Sequence, residues 1–380
     1  MIPAALALGL ALVAAAPSRA QLDAIAEPAV AKGVAFLLGH QNKDGSFGSY
    51  SGGRSYEIMA SVPGSLQAFK VATTALAAMA LRSSPVRGEE CAAAADRAVR
   101  YTIDHRGVGR PNGVEMYHIW ALAYSLQLFS EELLRGGLAP ERAAELKTAA
   151  ADLVRRIGIY QVPDGGWTYY DFKVGAFNPS DSSMTFTSGT VLHALHQAKL
   201  AGIEVDEKRI EKGLRSIRRL RKEDGGYAYG TYLQYRPDIG INKIKGSLGR
   251  SQVCNYAIHL FGGPMTRETM ARDLASMIEH QEFLDIARKR PIPHEAWYQN
   301  SGYFFYYGTY YAGLVLDVLD PADRARLWPG VRDMVVSKQE PDGSFWDYPL
   351  YGFHKGYGTA YALLTLCRPD PPAPEPASGR

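Results

Sequence analysis

Gln161-Val162-Pro163-Asp164-Gly165-Gly166-Trp167 has three counterparts in the chain: Gln41-Asn42-Lys43-Asp44-Gly45-Ser46-Phe47, Arg221-Lys222-Glu223-Asp224-Gly225-Gly226-Tyr227 and Gln339-Glu340-Pro341-Asp342-Gly343-Ser344-Phe345. Their Asp-Gly pairs begin at 44, 164, 224 and 342, so the spacings are 120, 60 and 118 residues. A unit of about sixty residues follows, with two copies in which the motif has degenerated. One step from Asp44 reaches Asp104, and one from Asp224 reaches Leu284 beside Asp285. Six units result.

Each unit reads as helix, turn, helix. The first helix is amphipathic, as in Ile210, Leu214, Ile217 and Leu220 set among Lys, Arg and Glu, and belongs on the outside. The second is apolar or weakly polar nearly all round, as in Val71-Ala72-Thr73-Thr74-Ala75-Leu76-Ala77-Ala78-Met79-Ala80, and needs cover on most sides. This pattern predicts an all-α (α/α)6 toroid, with inner helices near 66–82, 115–134, 183–201, 247–261, 301–319 and 356–367. In the motif, Asp before Gly suits a tight turn: the carboxylate bonds nearby backbone and Gly supplies positive φ. The aromatic ring that follows packs on the neighbouring hairpin. The motif is therefore a fastener between repeats.

At 380 residues and 46% hydrophobic content the chain is long for one core unless it repeats. Met1-Ile2-Pro3 precedes an apolar stretch from Ala4 to Ala16, and small residues at Ser18 and Ala20 suit signal-peptidase cleavage before Gln21. Residues 1–20 are thus expected to be a signal peptide and the protein exported, periplasmic or extracellular, with a retained N-terminal anchor as the rival. The toroid is expected over 21–367 and a Pro-rich disordered tail over 368–380. Formal charge is +3, or +2 without Arg19, and no basic stripe points to nucleic acid. Cys91, Cys254 and Cys367 fall in three different repeats and are expected to be free, mostly buried thiols.

On the four motifs, the chain resembles the terpenoid cyclase and protein prenyltransferase superfamily, whose Gln-x-x-Asp-Gly-Ser/Gly-aromatic signature is matched three times cleanly and once with Arg221 replacing Gln. The resemblance spans roughly residues 25 to 367 and is closest to uncharacterised bacterial squalene-cyclase-like proteins. It implies a double barrel of six outer and six inner helices. One such toroid hosts several activities, so it implies no single reaction.

Squalene-hopene cyclases protonate an alkene with an Asp-x-Asp-Asp motif. The nearest match here, Pro179-Ser180-Asp181-Ser182-Ser183-Met184-Thr185, keeps one acid, Asp181, which reads either as that acid or as a helix cap. The prenyltransferase zinc site has Gln252 where the family places Asp, beside Cys254, and Gly358 where it places His, so no metal and no cofactor are expected. Glu115, His118, His259 and His354 lie near the inner helices, with His118 retained beside Asp181 as a catalytic candidate.

The inner segments are rich in aromatic residues. Tyr117, Trp120, Phe186, Tyr256, Tyr303, Phe305, Tyr307, Tyr310 and Tyr357 are the candidate substrate-binding residues, suited to a long apolar ligand or, by cation–π attraction, to a carbocation. Three readings stay open: an isoprenoid cyclase with Asp181 as acid, a non-catalytic toroid binding a hydrophobic small molecule or an unknown protein partner, and a polysaccharide-active toroid enzyme. Membrane contact is admitted, although no segment points to it.

Overall fold

The computed structural model describes residues 22–51, 64–108, 115–171 and 182–368. Its long helices alternate outer then inner along the chain: α1 (Glu27–Gly39) then α2 (Ser65–Ser83), α3 (Gly88–His105) then α4 (His118–Arg135), and α5 (Pro140–Ile159) then α6 (Thr185–Leu200). Next come α7 (Glu207–Arg219) with α8 (Ile244–Leu260), then α9 (Arg267–Glu279), a one-turn α10 (Glu282–Asp285) and α11 (Phe304–Val318). The last pair is α12 (Pro321–Val336) with α13 (His354–Leu366). Each inner helix packs on the next, and α13 returns to α2, closing an all-α (α/α)6 ring. The inner helices fall where the sequence pattern puts them, to within about one turn at each end.

The burial pattern explains the two rings. On α7 only one stripe, including Ile210, Leu214 and Ile217, is buried, and Asp206 caps the helix by accepting from the Lys208 N–H at 2.9 Å. Inner α2 is buried without interruption from Val71 to Leu81, and α6 from Thr185 to Leu195. Helices that apolar are stable only when packed on every side. Where α8 and α11 cross, Gly249 and Gly308 meet: a Cβ on Gly308 would lie 2.7 Å from the Gly249 Cα.

The motif works as a clasp between repeats. Asp44, Asp164, Asp224 and Asp342 each accept a hydrogen bond from the backbone N–H two residues on, at 2.9–3.1 Å. Gln41, Gln161 and Gln339 donate across to the carbonyls of Ala94, Arg209 and Ala29 on the adjacent outer helices, each at 2.8 Å. Arg221 achieves the same link through Asp273 on α9 at 2.7 Å. The fifth unit has no such turn. There Asp285, at the end of α10, joins Arg288 and Lys338 at 2.9 Å each.

Loops leading into the inner helices are stitched by the two-residue strands β1 (Glu115–Met116) and β2 (Tyr170–Asp171), which pair antiparallel. Arg368, assigned above to the tail, packs into the body and pairs with Asp317. Residues 1–20 and 369–380 lie outside the described residues. No described helix is long and apolar enough to cross a membrane. The three cysteines are free, Cys91 and Cys254 buried and Cys367 partly so.

Candidate functional site

All six inner helices run the same way, so their N-termini gather at one end of the ring. A cavity of about 140 Å³ opens there. Phe69, Ala72, Thr73 and Leu76 of α2 form one side, followed by Tyr117, Trp120 and Tyr124 at and along α4. Phe186 comes from α6, Tyr303, Phe304 and Tyr307 from the start of α11, and Tyr357 and Tyr361 from α13. The connecting loops add Tyr169, Tyr348 and Leu350.

The rings brace one another. Trp120 stacks on Phe186 at 5.9 Å and on Tyr169 at 6.1 Å, while Phe186 meets Phe304 edge-on at 5.1 Å. Such offset and edge-to-face pairs satisfy the ring quadrupoles. The Tyr307 hydroxyl donates to the Phe186 carbonyl at 3.0 Å and lies 2.8 Å from the Thr190 hydroxyl, so the wall is fixed by hydrogen bonds as well as packing. Deeper in the ring, Tyr124 bonds Tyr361. Burial raises the hydroxyls of Tyr124, Tyr169, Tyr307, Tyr357 and Tyr361 well above their ordinary value, keeping the lining neutral.

Two charged groups stand behind this wall. Arg250 of α8 is buried and donates to the carbonyls of Gly246 at 2.6 Å, Tyr227 at 3.0 Å and Ile241, with its guanidinium 5.2 Å from the Tyr229 ring and 5.8 Å from that of Phe304. Burial pulls it down to about 10, which leaves it charged at neutral pH. Asp347 is fully buried and accepts from the Tyr306 N–H at 3.0 Å, in the first turn of α11, and from the Tyr357 hydroxyl at 2.8 Å.

Of the residues singled out in the sequence, Tyr117, Trp120, Phe186, Tyr303, Tyr307 and Tyr357 line the cavity. Three do not. Phe305 turns outward beneath Arg288, 5.2 Å away, because consecutive helical positions point about 100° apart. Tyr256 packs edge-on against His193 at 5.3 Å, and Tyr310 lies below the cavity against Tyr361 at 5.5 Å, its hydroxyl 3.5 Å from Gln127. His118 is buried at the start of α4 and does not border the cavity. His259 Nδ1 lies 3.2 Å from the Met265 carbonyl, and His354 Nδ1 contacts that of Tyr351, so both anchor backbone. Asp181 lies outside the described residues, as does the side chain of Glu115. Cys254 is buried on α8, and burial pushes its thiol up to about 12, so it stays protonated.

Among the aromatic lining, sequence reasoning missed Phe69, Tyr124, Tyr169 and Tyr348, and behind it His294. A signal existed for the loop tyrosines, since one recurs two or three residues past the motif ring, at Tyr169, Tyr229 and Tyr348. His294, in Pro291-Ile292-Pro293-His294, reads as ordinary loop. Its Nε2 lies 3.0 Å from the hydroxyl of the cavity residue Tyr303.

A closed double ring of this kind, with an aromatic cavity at one end, is a terpenoid-cyclase-like α/α toroid. No family model matches the chain. A drimenyl diphosphate synthase from Streptomyces showdoensis is 29% identical over 201 residues, which is 52% of this chain and 32% of that protein. The chain thus spans about a third of that curated relative's length. Type II terpene cyclase MstE from Scytonema, in a substituted form complexed with its substrate geranylgeranyl dihydroxybenzoate, shares the fold at TM-score 0.54 and 14% identity. That match covers 91% of this chain and 97% of the other. The GH76A alpha-1,6-mannanase from Salegentibacter sp. HEL1_6 shares it at TM-score 0.58 and 11% identity, over 90% and 98%.

Proposed function

We propose that the cavity holds a linear isoprenoid-type ligand and that the protein cyclises it by protonating an alkene. The observation that carries this reading is the wall itself: its described lining is aromatic and aliphatic apart from tyrosine hydroxyls and Thr73, with no carboxylate. Such a wall excludes water from a greasy chain, and each π face attracts a developing carbocation by about 0.5–2 kcal/mol. A polysaccharide is held by many hydrogen-bonding groups, and the described lining offers only tyrosine hydroxyls and Thr73 among aromatic and aliphatic carbon. This weighs against the glycan reading despite the mannanase-like fold.

Asp181 is the proposed acid. Helix α6 starts at Thr185 with Met184 in the capping position, and Asp181 precedes that position by three residues, which favours acid over cap. A capping carboxylate accepts from the first backbone N–H groups of its helix, which hold it ionised, and a carboxyl free of that duty keeps its proton more readily.

Native mass spectrometry and product analysis after incubation with farnesyl diphosphate or geranylgeraniol test the reading. A retained isoprenoid and a cyclic product are expected, with Asp181→Asn losing turnover on the order of 10²-fold at unchanged melting temperature. Retention without conversion would establish a binding toroid in place of an enzyme, and no retention would overturn the ligand assignment. We also propose export, on residues 1–20. Protein recovered from periplasm or medium should then begin at Gln21, and an intact Met1 in the cytosol would refute it.

A further inference from the structure

We propose that Tyr303 and His294 form the base that ends the reaction, taking the proton whose loss turns the cyclic carbocation into an alkene; this rests on the isoprenoid reading above. His294 Nδ1 lies 2.8 Å from the Gln299 carbonyl oxygen and 3.1 Å from the Ser301 hydroxyl. A carbonyl only accepts, so Nδ1 carries the ring proton and Nε2 is left as a bare lone pair. The Tyr303 hydroxyl, 3.0 Å away, donates to it. Tyr303 lines the cavity, so a neutral imidazole is coupled to the ligand space through one phenol.

A second cavity residue connects to the same imidazole. Tyr169 lies 2.9 Å from the Tyr229 hydroxyl, which is 3.5 Å from that of Tyr303. The loop accepts strain to build this arrangement: His294, Tyr298 and Gln299 have φ of 62°, 56° and 56°, a left-handed region that costs non-glycine residues. Flanking Pro291 and Pro293 stiffen the segment. The groups facing His294 are Ser301, Tyr303 and Tyr229, with the positive charge of Arg250 behind Tyr229. Burial, with that charge, lowers the imidazole from its ordinary value and keeps it neutral at pH 7, despite the opposing Gln299 hydrogen bond.

The step balances. The C–H bond beside the cationic carbon breaks and its electron pair becomes the new C=C bond. Its proton goes to the Tyr303 oxygen as the Tyr303 proton passes to Nε2, and half-buried His294 returns it to solvent. Tyr303 is the catalytic group and His294 its positioning and proton-accepting partner.

Geranylgeraniol is the probe, offered to the full-length wild type, His294→Gln and Tyr303→Phe, with binding followed by tryptophan fluorescence and products by mass spectrometry. Both variants should bind the probe as the wild type does but show kcat lowered about 10²-fold, with product shifting from alkene toward water-captured alcohol. The wild-type kcat should fall as pH drops through the imidazole titration, His294→Gln should lack that limb, and added imidazole should restore part of its rate. A His294→Gln protein that melts as the wild type does and keeps the rate, the alkene and the acid limb would overturn the base assignment alone. Wild type that neither binds nor converts the probe would overturn the isoprenoid reading, and this inference with it.

Discussion

Asp347 illustrates how a single side chain can serve two neighbours at a cost. Its carboxylate holds the first turn of α11 through the Tyr306 N–H and the cavity wall through Tyr357, yet it is fully buried. Burial dominates and raises it to about 6, against the hydrogen bonds from Tyr306 and Tyr357, which lower it. A carboxyl raised in the folded state contributes stability that is full below its ordinary 3.8 and is lost as pH rises through about 6. Asp347→Asn removes this titration. The melting temperature of the variant minus that of the wild type should therefore rise between pH 4 and pH 7, and a difference that stays flat would show that Asp347 does not titrate there.

Among the elements, glycines set the closest approaches. Gly308 of α11 touches Gly249 of α8, and a Cβ added at Gly308 would also lie 3.0 Å from the Gly249 carbonyl oxygen, backbone that cannot swing aside. Gly308→Ala should cost about 1–3 kcal/mol by overpacking, read from urea unfolding. The motif glycine has a different reason. Gly343 holds φ of 86°, and its Cβ would meet the Lys32 carbonyl oxygen at 2.7 Å, so Gly343→Ala combines backbone strain with a clash. It should destabilise by at least about 1 kcal/mol, whereas Gly136→Ala, with φ of 74° and open space, should pay for strain alone and cost less. Equal losses at the two sites would mean the clasp adds nothing.

For the whole molecule, the ring must be closed between its first and last repeats. Gln339 reaches the Ala29 carbonyl on α1, and Asp23 accepts from Trp328 Nε1 and from Arg332, each at 2.8 Å. Asp23→Ala strands both α12 donors and should cost about 1.5–3 kcal/mol. Hydrogen exchange should then rise in α1 and α12 together, with α5 through α7 unchanged. Uniform acceleration around the ring would show that closure is shared by all six interfaces instead of resting on this clasp.

The sequence alone determined the architecture. Repeat period and helical burial pattern are local, one-dimensional signals, and four Asp-Gly turns with two kinds of helix admit few closed arrangements, so the six inner helices could be placed to within about a turn. It also indicated that aromatic side chains cluster at the inner-helix starts. Tertiary structure decided which of them share one space. Phe305 and Tyr307 are two residues apart, yet one faces Arg288 and the other the cavity, because a two-residue step turns about 200° around the helix. Loop residues were least legible: Tyr169 and Tyr348 show only a loose recurrence after the motif ring and His294 none, and their places are set by backbone pairing and by strained φ angles that only the assembled ring enforces.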